Sequence, residues 1–277
     1  MSASPALNPN NDKGWTSGFT NMLAKENNNW WNAKSLAVQF IVWLVIINGM
    51  VALVVFLVPS LTQNVAQQVA GPSGFGMTPA QIANLGVNMF FGISGIAMLL
   101  GVIIIGHDSI VKERESGTAA WLLSKPLSRR SFILSKLVAN NLNMLVIIVL
   151  VQGVIAYVLC SIALHGLMNI TTFLAGLVLL GLDLTFFMVL SISLGAFTLS
   201  KGVTLGVPIM AALAGTIILP FEPNLGYFMP WGLAGTATSL VTGAPLDASA
   251  VYSVVATVVW VLLFALAAII RFDSLEL

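Results

Sequence analysis

Residues that commonly carry out catalysis or bind metals are scarce in this sequence and lie far apart. Its 277 residues include two histidines and one cysteine. His107 and His165 fall at opposite ends of the predicted membrane-spanning segments, so they cannot share one metal ion. Cys160 lies within an apolar run and is expected to be a buried hydrophobic side chain. Since a membrane-embedded enzyme needs reactive groups clustered at one depth, we predict no catalytic residue and no metal site.

Asp183 is the one acidic residue well inside an apolar stretch, 179–187. A charge there costs about 2.5–3.5 kcal/mol on insertion scales, so something should offset it. One interpretation is an intramembrane contact with a substrate, ion or proton. The other is a protonated or hydrogen-bonded carboxyl that joins helices through neighbours such as Thr185, Asn140 or Asn141. Both stay open, although a proton-driven carrier is expected to hold several such groups.

The segment 107–136 contains six of the 11 lysines and arginines in the chain, together with three acidic residues. Its first part is expected to be the end of a helix, which Gly117 terminates. Pro126 is expected to start a turn. Ser128 has the residue type of an N-cap for a short amphipathic helix through Leu134. Such a unit presents apolar and basic groups together, which is what a docking surface for a soluble partner requires. The alternative is a solvated connector that only satisfies membrane topology.

The composition indicates a chain that is mostly surrounded by lipid. Hydrophobic residues make up 58% and charged residues 8% of the sequence, with a mean hydropathy of +0.97. The net charge of +1 gives no basic surface for nucleic acid. In the fourth and longest apolar stretch, any break is expected at Gly181. Six stretches are long enough to cross about 30 Å of hydrocarbon: 35–58, 82–106, 137–163, 171–199, 203–219 and 248–270.

The lysines and arginines predict the orientation. They lie before the first stretch, between the second and third, between the fourth and fifth, and after the sixth. The connections 59–81, 165–170 and 220–249 contain none. The positive-inside rule therefore predicts a multi-pass protein of the plasma (inner) membrane with both termini in the cytoplasm. The N-terminal residues do not form a secretory signal, so the first stretch is expected to stay in the mature protein.

Two segments outside the six stretches carry expectations of their own. Residues 14–34 place Trp15, Trp30 and Trp31 among asparagines and lysines, which is typical of a helix lying in the headgroup region. The alternative is a disordered tail with a short aromatic anchor. The connection 220–249 is long and apolar, which predicts a re-entrant or interfacial helix pair, because irregular backbone exposed to lipid leaves polar groups unsatisfied.

The charged segment resembles the one that follows the second span in permeases of the type-2 ABC transporter family. In that family an acidic residue, Gly-Thr, Leu-Leu, Pro and Ser-Arg recur in this order. The six-span layout, Lys25-Glu26 in the N-terminal helix, and the short turn that begins at Ser200 are also similar. The matching residues are Glu113-Arg-Glu-Ser-Gly-Thr118, Leu122-Leu-Ser-Lys-Pro126, Ser128-Arg-Arg130 and Lys136.

The resemblance implies an all-α membrane protein with a cytoplasmic tail and interfacial helix (1–34), a six-helix membrane domain (35–271) and a short cytoplasmic tail (272–277). It implies a coupling helix in 107–136, between the second and third spans. The residues assigned to ATPase coupling are Glu113, Glu115, Gly117, Thr118, Pro126, Ser128, Arg129 and Arg130.

The partners that the resemblance implies are an ATP-binding cassette subunit and a second permease, identical or different. The chain contains no G-x-x-x-x-G-K-[ST] phosphate loop. We therefore expect it to bind no cofactor, with ATP and Mg²⁺ held by the partner subunit, and to be a transport subunit rather than an enzyme. The expected function is export of a lipidic, peptide, glycan or drug-like substrate.

An ATP-independent channel or secondary carrier is the competing hypothesis. It is expected to show paired half-helices or an inverted repeat, and no such repeat is evident. A face of small residues in the second stretch, Gly92, Ser94, Gly95 and Gly101, permits close helix contact. This face fits an internal contact or a dimer contact equally well.

Overall fold

The computed structural model of the chain describes residues 17–61, 77–124, 127–246 and 249–274. All regular elements in these ranges are helical. Helix α1 (Phe19–Trp31) and the short α4 (Thr118–Leu123) and α8 (Leu233–Thr242) accompany six helices that are long and apolar enough to cross a membrane. The predicted six-span, all-helical fold is confirmed. The six are α2 (Ala33–Leu61), α3 (Pro79–Glu115), α5 (Arg129–Leu164), α6 (Ile170–Phe197), α7 (Lys201–Ile218) and α9 (Ser249–Asp273).

Helices α3 and α5 are longer than the apolar stretches that predicted them. They have 37 and 36 residues, against 28 in α6, so the expectation that the fourth span is the longest was wrong. At 1.5 Å per residue, α3 is about 55 Å long and must extend past about 30 Å of hydrocarbon. The additional turns carry the charged residues. The sequence underestimated these helices because hydropathy ends where the charges begin, whereas the helical hydrogen bonding continues.

Helix α6 is the centre of the bundle and is unbroken. Its side chains are buried on nearly all sides, and it packs against α3, α8 and α9. The expected break at Gly181 is absent, since α6 runs continuously from Ile170 to Phe197. A Cβ atom at Gly181 would lie 2.8 Å from Leu145 Cδ2. This glycine therefore permits close packing against α5 and does not bend the helix.

The connection between α7 and α9 folds back against the bundle. Helix α7 has 18 residues, 10 fewer than α6, so it is about 15 Å shorter. Two 3₁₀ turns and α8 follow, and α8 packs on α6 and α3. This is one helix with 3₁₀ turns instead of the expected helix pair, and its depth in a membrane stays a prediction. Three side chains bind carbonyl oxygens here: Trp231 Nε1 to Ala211 (2.8 Å), Trp260 Nε1 to Phe228 (2.9 Å) and Ser253 Oγ to Met229 (2.8 Å).

A buried amide pair joins α2 to α5 within their apolar lengths. Asn48 Nδ2 donates to Gln152 Oε1 at 2.7 Å and to the Gln152 carbonyl at 3.3 Å. A π-helical turn, Leu44–Asn48, places Asn48 at this contact. Such pairs stabilise helix association in lipid, since the alternative is an unsatisfied polar group.

The small residues of α3 differ in what they contact. A Cβ atom at Gly101 would collide with the Trp43 indole, and one at Gly95 would lie 3.2 Å from Ala234 Cβ. Gly92 has no described atom within 4 Å of its would-be Cβ. Gly95 and Gly101 are therefore internal contacts, and Gly92 alone leaves the dimer interpretation open.

Replacing Gly101 with alanine is expected to destabilise the protein, because the buried Trp43 ring must move. Overpacking of this kind costs about 1–3 kcal/mol, which corresponds to a fall of several degrees in the melting temperature. Gly92→Ala is the matched control and should be neutral or slightly stabilising, since alanine favours helix by about 0.5–1 kcal/mol. Thermal melting of both variants in the same detergent checks this. Equal melting temperatures would contradict the packing of Trp43 on Gly101.

Candidate functional site

Four charged side chains form a buried cluster where α1, α3 and α5 meet. We call Lys25, Glu26, Glu113 and Lys136 the charged cluster. Lys136 Nζ lies 2.9 Å from Glu26 Oε1 and 2.9 Å from Glu113 Oε2. Lys25 Nζ donates to Glu113 Oε1 at 2.6 Å. Two ammonium groups thus face two carboxylates, and α1 is joined to both membrane-spanning helices.

Burial makes Lys136 and Glu26 depend on their partners in the charged cluster. The Lys136 side chain is 2% exposed and that of Glu26 is 7% exposed. A buried charge is tolerated only when it is paired and hydrogen-bonded. The Lys136 ammonium also lies 5.1 Å from the centre of the Phe132 ring, a favourable cation–π distance. The cluster therefore specifies one relative position of the three helices.

Hydrogen bonds from two indoles extend the contact between α1 and α5. Trp30 Nε1 donates to Asn140 Oδ1 at 3.1 Å, and Trp31 Nε1 donates to Asn143 Oδ1 at 2.6 Å. The Asn140 amide in turn donates to Ser109 Oγ at 3.1 Å. Trp30 is therefore a helix–helix contact and not a free headgroup anchor. That α1 lies at the membrane surface stays a prediction.

The end of α3 is also joined to the turn between α6 and α7. Arg114 Nη1 donates to the carbonyl oxygens of Gly195 (2.9 Å) and Ala196 (3.4 Å). A cation at the C-terminus of a helix satisfies its last carbonyls and complements its dipole. Glu115 Oε2 pairs with Lys201 Nζ at 2.7 Å. The predicted coupling residue Glu115 thus already has an intramolecular partner.

The predicted break at Gly117 is confirmed. Gly117 has φ 71°, a left-handed conformation that glycine adopts without strain. It separates α3 from α4, whose first residue, Thr118, has its hydroxyl 2.8 Å from that of Ser116. Within α4, Ala119 is buried and the Trp121 side chain is 59% exposed. The charged end thus presents an exposed indole on a short helix.

Ser128 is the N-cap that the sequence predicts. Its Oγ accepts from the Ser131 backbone N–H at 3.1 Å. The helix that it caps is not short, however: it continues as α5 through Leu134 to Leu164. No glycine or proline interrupts residues 129–152, so nothing ends the helix there. The separate helix of the charged segment is therefore α4.

Arg129 and Arg130 hold the end of α9. Arg130 Nε and Nη2 donate to Asp273 Oδ2 at 3.0 and 2.8 Å, and Arg129 Nη1 donates to the Asp273 carbonyl at 3.1 Å. Phe132 and Phe272 stack beside them, with ring centres 5.1 Å apart. These two arginines therefore link the first and last turns of two spans.

The sequence-predicted site residues thus gather at one end of the bundle, with two exceptions. Pro126 lies outside the described residues, and Asp183 lies elsewhere. The role of the residues at this end in coupling to an ATPase stays a prediction. Glu26, Arg114 and Lys136 lie in the segments that resemble the family, but the sequence assigned them no role. The residues that sequence reasoning missed are Trp121 and Asp273. Trp121 could have been found as an indole within a charged loop, whereas Asp273 is linked to the site only by tertiary contacts.

Asp183 lines a cavity of about 160 Å³ between α3, α6, α7 and the start of α8 with the segment that precedes it. The residue is 4% exposed. Within the described parts of the chain, its Oδ1 has no hydrogen-bond partner. Asn140 and Asn141 bind other groups, so the expectation that they contact Asp183 was wrong. No group of three or more His, Cys, Asp or Glu that could hold a metal occurs among the residues described.

Comparison with known proteins gives one result. A family model described as "ABC-2 family transporter protein" matches residues 32–277. Among curated proteins, none matches the chain.

Lys136→Met is expected to lower the free energy of unfolding strongly, because it leaves two carboxylates without their buried partner. Breaking a buried pair in this way costs about 3–5 kcal/mol. Lys112→Met is the matched control: it removes an ion pair with Asp108 on the same end, but the Lys112 side chain is 67% exposed, so little change is expected. Thermal melting in detergent distinguishes them. Similar melting temperatures for the two variants would show that the charged cluster contributes no stability.

Proposed function

Because the chain belongs to the ABC-2 family of transporter proteins, we propose that it is the transmembrane permease subunit of an ATP-driven exporter. It is a multi-pass membrane protein, and the family works with an ABC ATPase subunit. The proposed location is the plasma (inner) membrane, with both termini and the charged end in the cytoplasm. The observation that carries the proposal is the exposed Trp121 on the short helix α4, which directly follows the last turns of α3 that hold Glu113 of the charged cluster.

The energy source in this proposal is a separate subunit. The sequence has no phosphate-binding loop of the G-x-x-x-x-G-K-[ST] type, so ATP and Mg²⁺ are assigned to the partner. This chain then needs only to receive a movement. Its function is to convert closure of the ATPase subunits into a rearrangement of its helices.

Helix α4 is the proposed docking point for the ATPase. Trp121 is 59% exposed on it, and tryptophan is among the residues that most often dominate binding energy at protein interfaces. Lys112 and Glu115 are exposed nearby, on the last turns of α3. An apolar anchor with charges around it has the composition of such an interface.

The contacts at the charged end provide a route for the movement. A displacement of α4 acts through Gly117 on α3, whose Glu113 is bound to Lys25 of α1 and lies against Lys136 of α5. Because the ion pairs of the cluster connect α1, α3 and α5, these three helices should move together. Arg114 passes the displacement to the end of α6 through Gly195.

A second permease subunit, identical or related, completes the proposed transporter. The apolar side chains of α7 and α9 are largely exposed, which suits a surface covered by lipid or by another subunit. The spans carry little charge, which suits a lipidic, peptide, glycan or drug-like cargo. Transport proceeds in this proposal by alternation between two arrangements of the pair.

Trp121→Ala tests the docking point. The ATPase activity that co-purifies with the chain should fall about tenfold or more, because an interface anchor is lost. The melting temperature of the chain should not change, since the indole is exposed. Phe221→Ala is the matched control: its side chain is 82% exposed at the opposite end of α7, and the retained ATPase activity should stay the same.

Full retention of ATPase activity by Trp121→Ala would contradict the docking role of α4 and leave it as a connecting segment. A loss of activity in both variants would assign the effect to general damage rather than to docking. Transport driven by an ion gradient without ATP would favour the carrier hypothesis instead.

A further inference from the structure

We propose that the cavity around Asp183 binds the ammonium group of an amphipathic amine. This rests on the proposed function, because it names the chemical class of the transported substrate. The site is separate from the charged end and uses residues of α3, α6, α7 and the start of α8 with the segment that precedes it.

Asp183 lies at the middle of α6, the most buried of the six membrane-spanning helices. It is 13 residues after Ile170 and 14 before Phe197, so each end of α6 is about 20 Å away. This position corresponds to the centre of a bilayer, where a carboxylate is costly and is usually functional. The arrangement therefore needs a compensating group.

The described part of the chain does not supply that group. Asp183 Oδ1 is buried without a hydrogen-bond partner. Thr185, two residues away on α6, does not line the cavity. The carboxyl group thus points to a partner that is not one of the chain's own described residues.

The lining of the cavity favours a ligand that donates hydrogen bonds over one that accepts them. The Trp231 N–H already donates to the Ala211 carbonyl at 2.8 Å, and the Thr216 hydroxyl donates to the Leu213 carbonyl at 2.7 Å. With these donors occupied, the polar atoms left for a ligand are acceptors. A ligand that carries N–H donors and positive charge fits this set, and an anion does not.

The remaining walls fit an organic cation better than a metal ion. Phe187 and Trp231 are aromatic and Leu99 and Leu219 are aliphatic. Aromatic rings beside a carboxylate are a common combination for binding ammonium groups. A hard metal ion takes about six oxygen ligands, whereas this lining includes one carboxylate.

The cavity also has a place for the rest of such a molecule. Thr216, at its edge, is exposed on the surface of α7. The cavity volume of about 160 Å³ is enough for a small amine headgroup. An apolar tail can therefore extend along α7 while the ammonium group reaches Asp183.

Calorimetric titration of the full-length chain in phosphatidylcholine nanodiscs tests the proposal. The probe is 2-phenylethylamine, 2-phenylethanol is its neutral analogue, and empty nanodiscs correct for partitioning. The wild-type chain should bind the amine about tenfold more tightly than the alcohol, as a charge-assisted hydrogen bond predicts. Asp183→Asn should lose this preference. Thr185→Val, a matched change on the same helix outside the cavity, should keep it.

Unchanged amine binding by Asp183→Asn, or equal binding of amine and alcohol by the wild type, would overturn the proposal. If Asp183→Asn does not fold, Ala212→Leu provides the test, because the larger leucine side chain fills the cavity while the Asp183 carboxyl group stays in place. Loss of amine binding in folded Ala212→Leu supports the site, and retention overturns it. The titration needs neither ATP nor an ATPase, so its result is independent of the docking test with Trp121.

Discussion

The buried ammonium group of Lys136, held between Glu26 and Glu113, is the constraint on which the charged end depends. It fixes α1 and α3 to α5, although these residues are distant in sequence. The Lys136 side chain is 2% exposed, and a buried ammonium group is tolerated only when oppositely charged groups stay beside it. The position of α1, the direction of the last turns of α3 and the support beneath α4 all follow from this requirement. The contacts of Arg114 and Arg130 then join α6 and α9 to the same unit.

Local features could be predicted from the sequence, and long-range contacts could not. Hydropathy located the six spans, and the residue types of Gly117 and Ser128 located a break and a cap, because such features depend on neighbouring residues. The Lys136–Glu26 contact joins positions 110 residues apart, and no pattern indicates such a pair. The length of α5 was underestimated because charge was taken as the end of a span. Asp183 was recognised because a charged side chain is costly to place in lipid. Its cavity was not predicted, because four separate segments of the chain form it.

The two candidate sites are connected by the same helices. Helix α3 carries Glu113 at the charged end and Gly95 and Leu99 at the cavity. Helix α6 carries Asp183 at its middle and ends at the carbonyls bound by Arg114. In the proposed mechanism, ATPase closure displaces α3 relative to α6, and this displacement changes the walls around Asp183. Energy input and substrate binding are thereby linked without a flexible domain between them.

The most direct test of the central claim is the intact mass of the complex that the chain forms in its own membrane. The tagged chain, extracted gently, is analysed by native mass spectrometry, and any bound soluble subunit is identified. The expected complex contains two permease chains and one P-loop ATPase for each of them. A chain that remains without an ATPase, yet transports in response to an ion gradient alone, would contradict it.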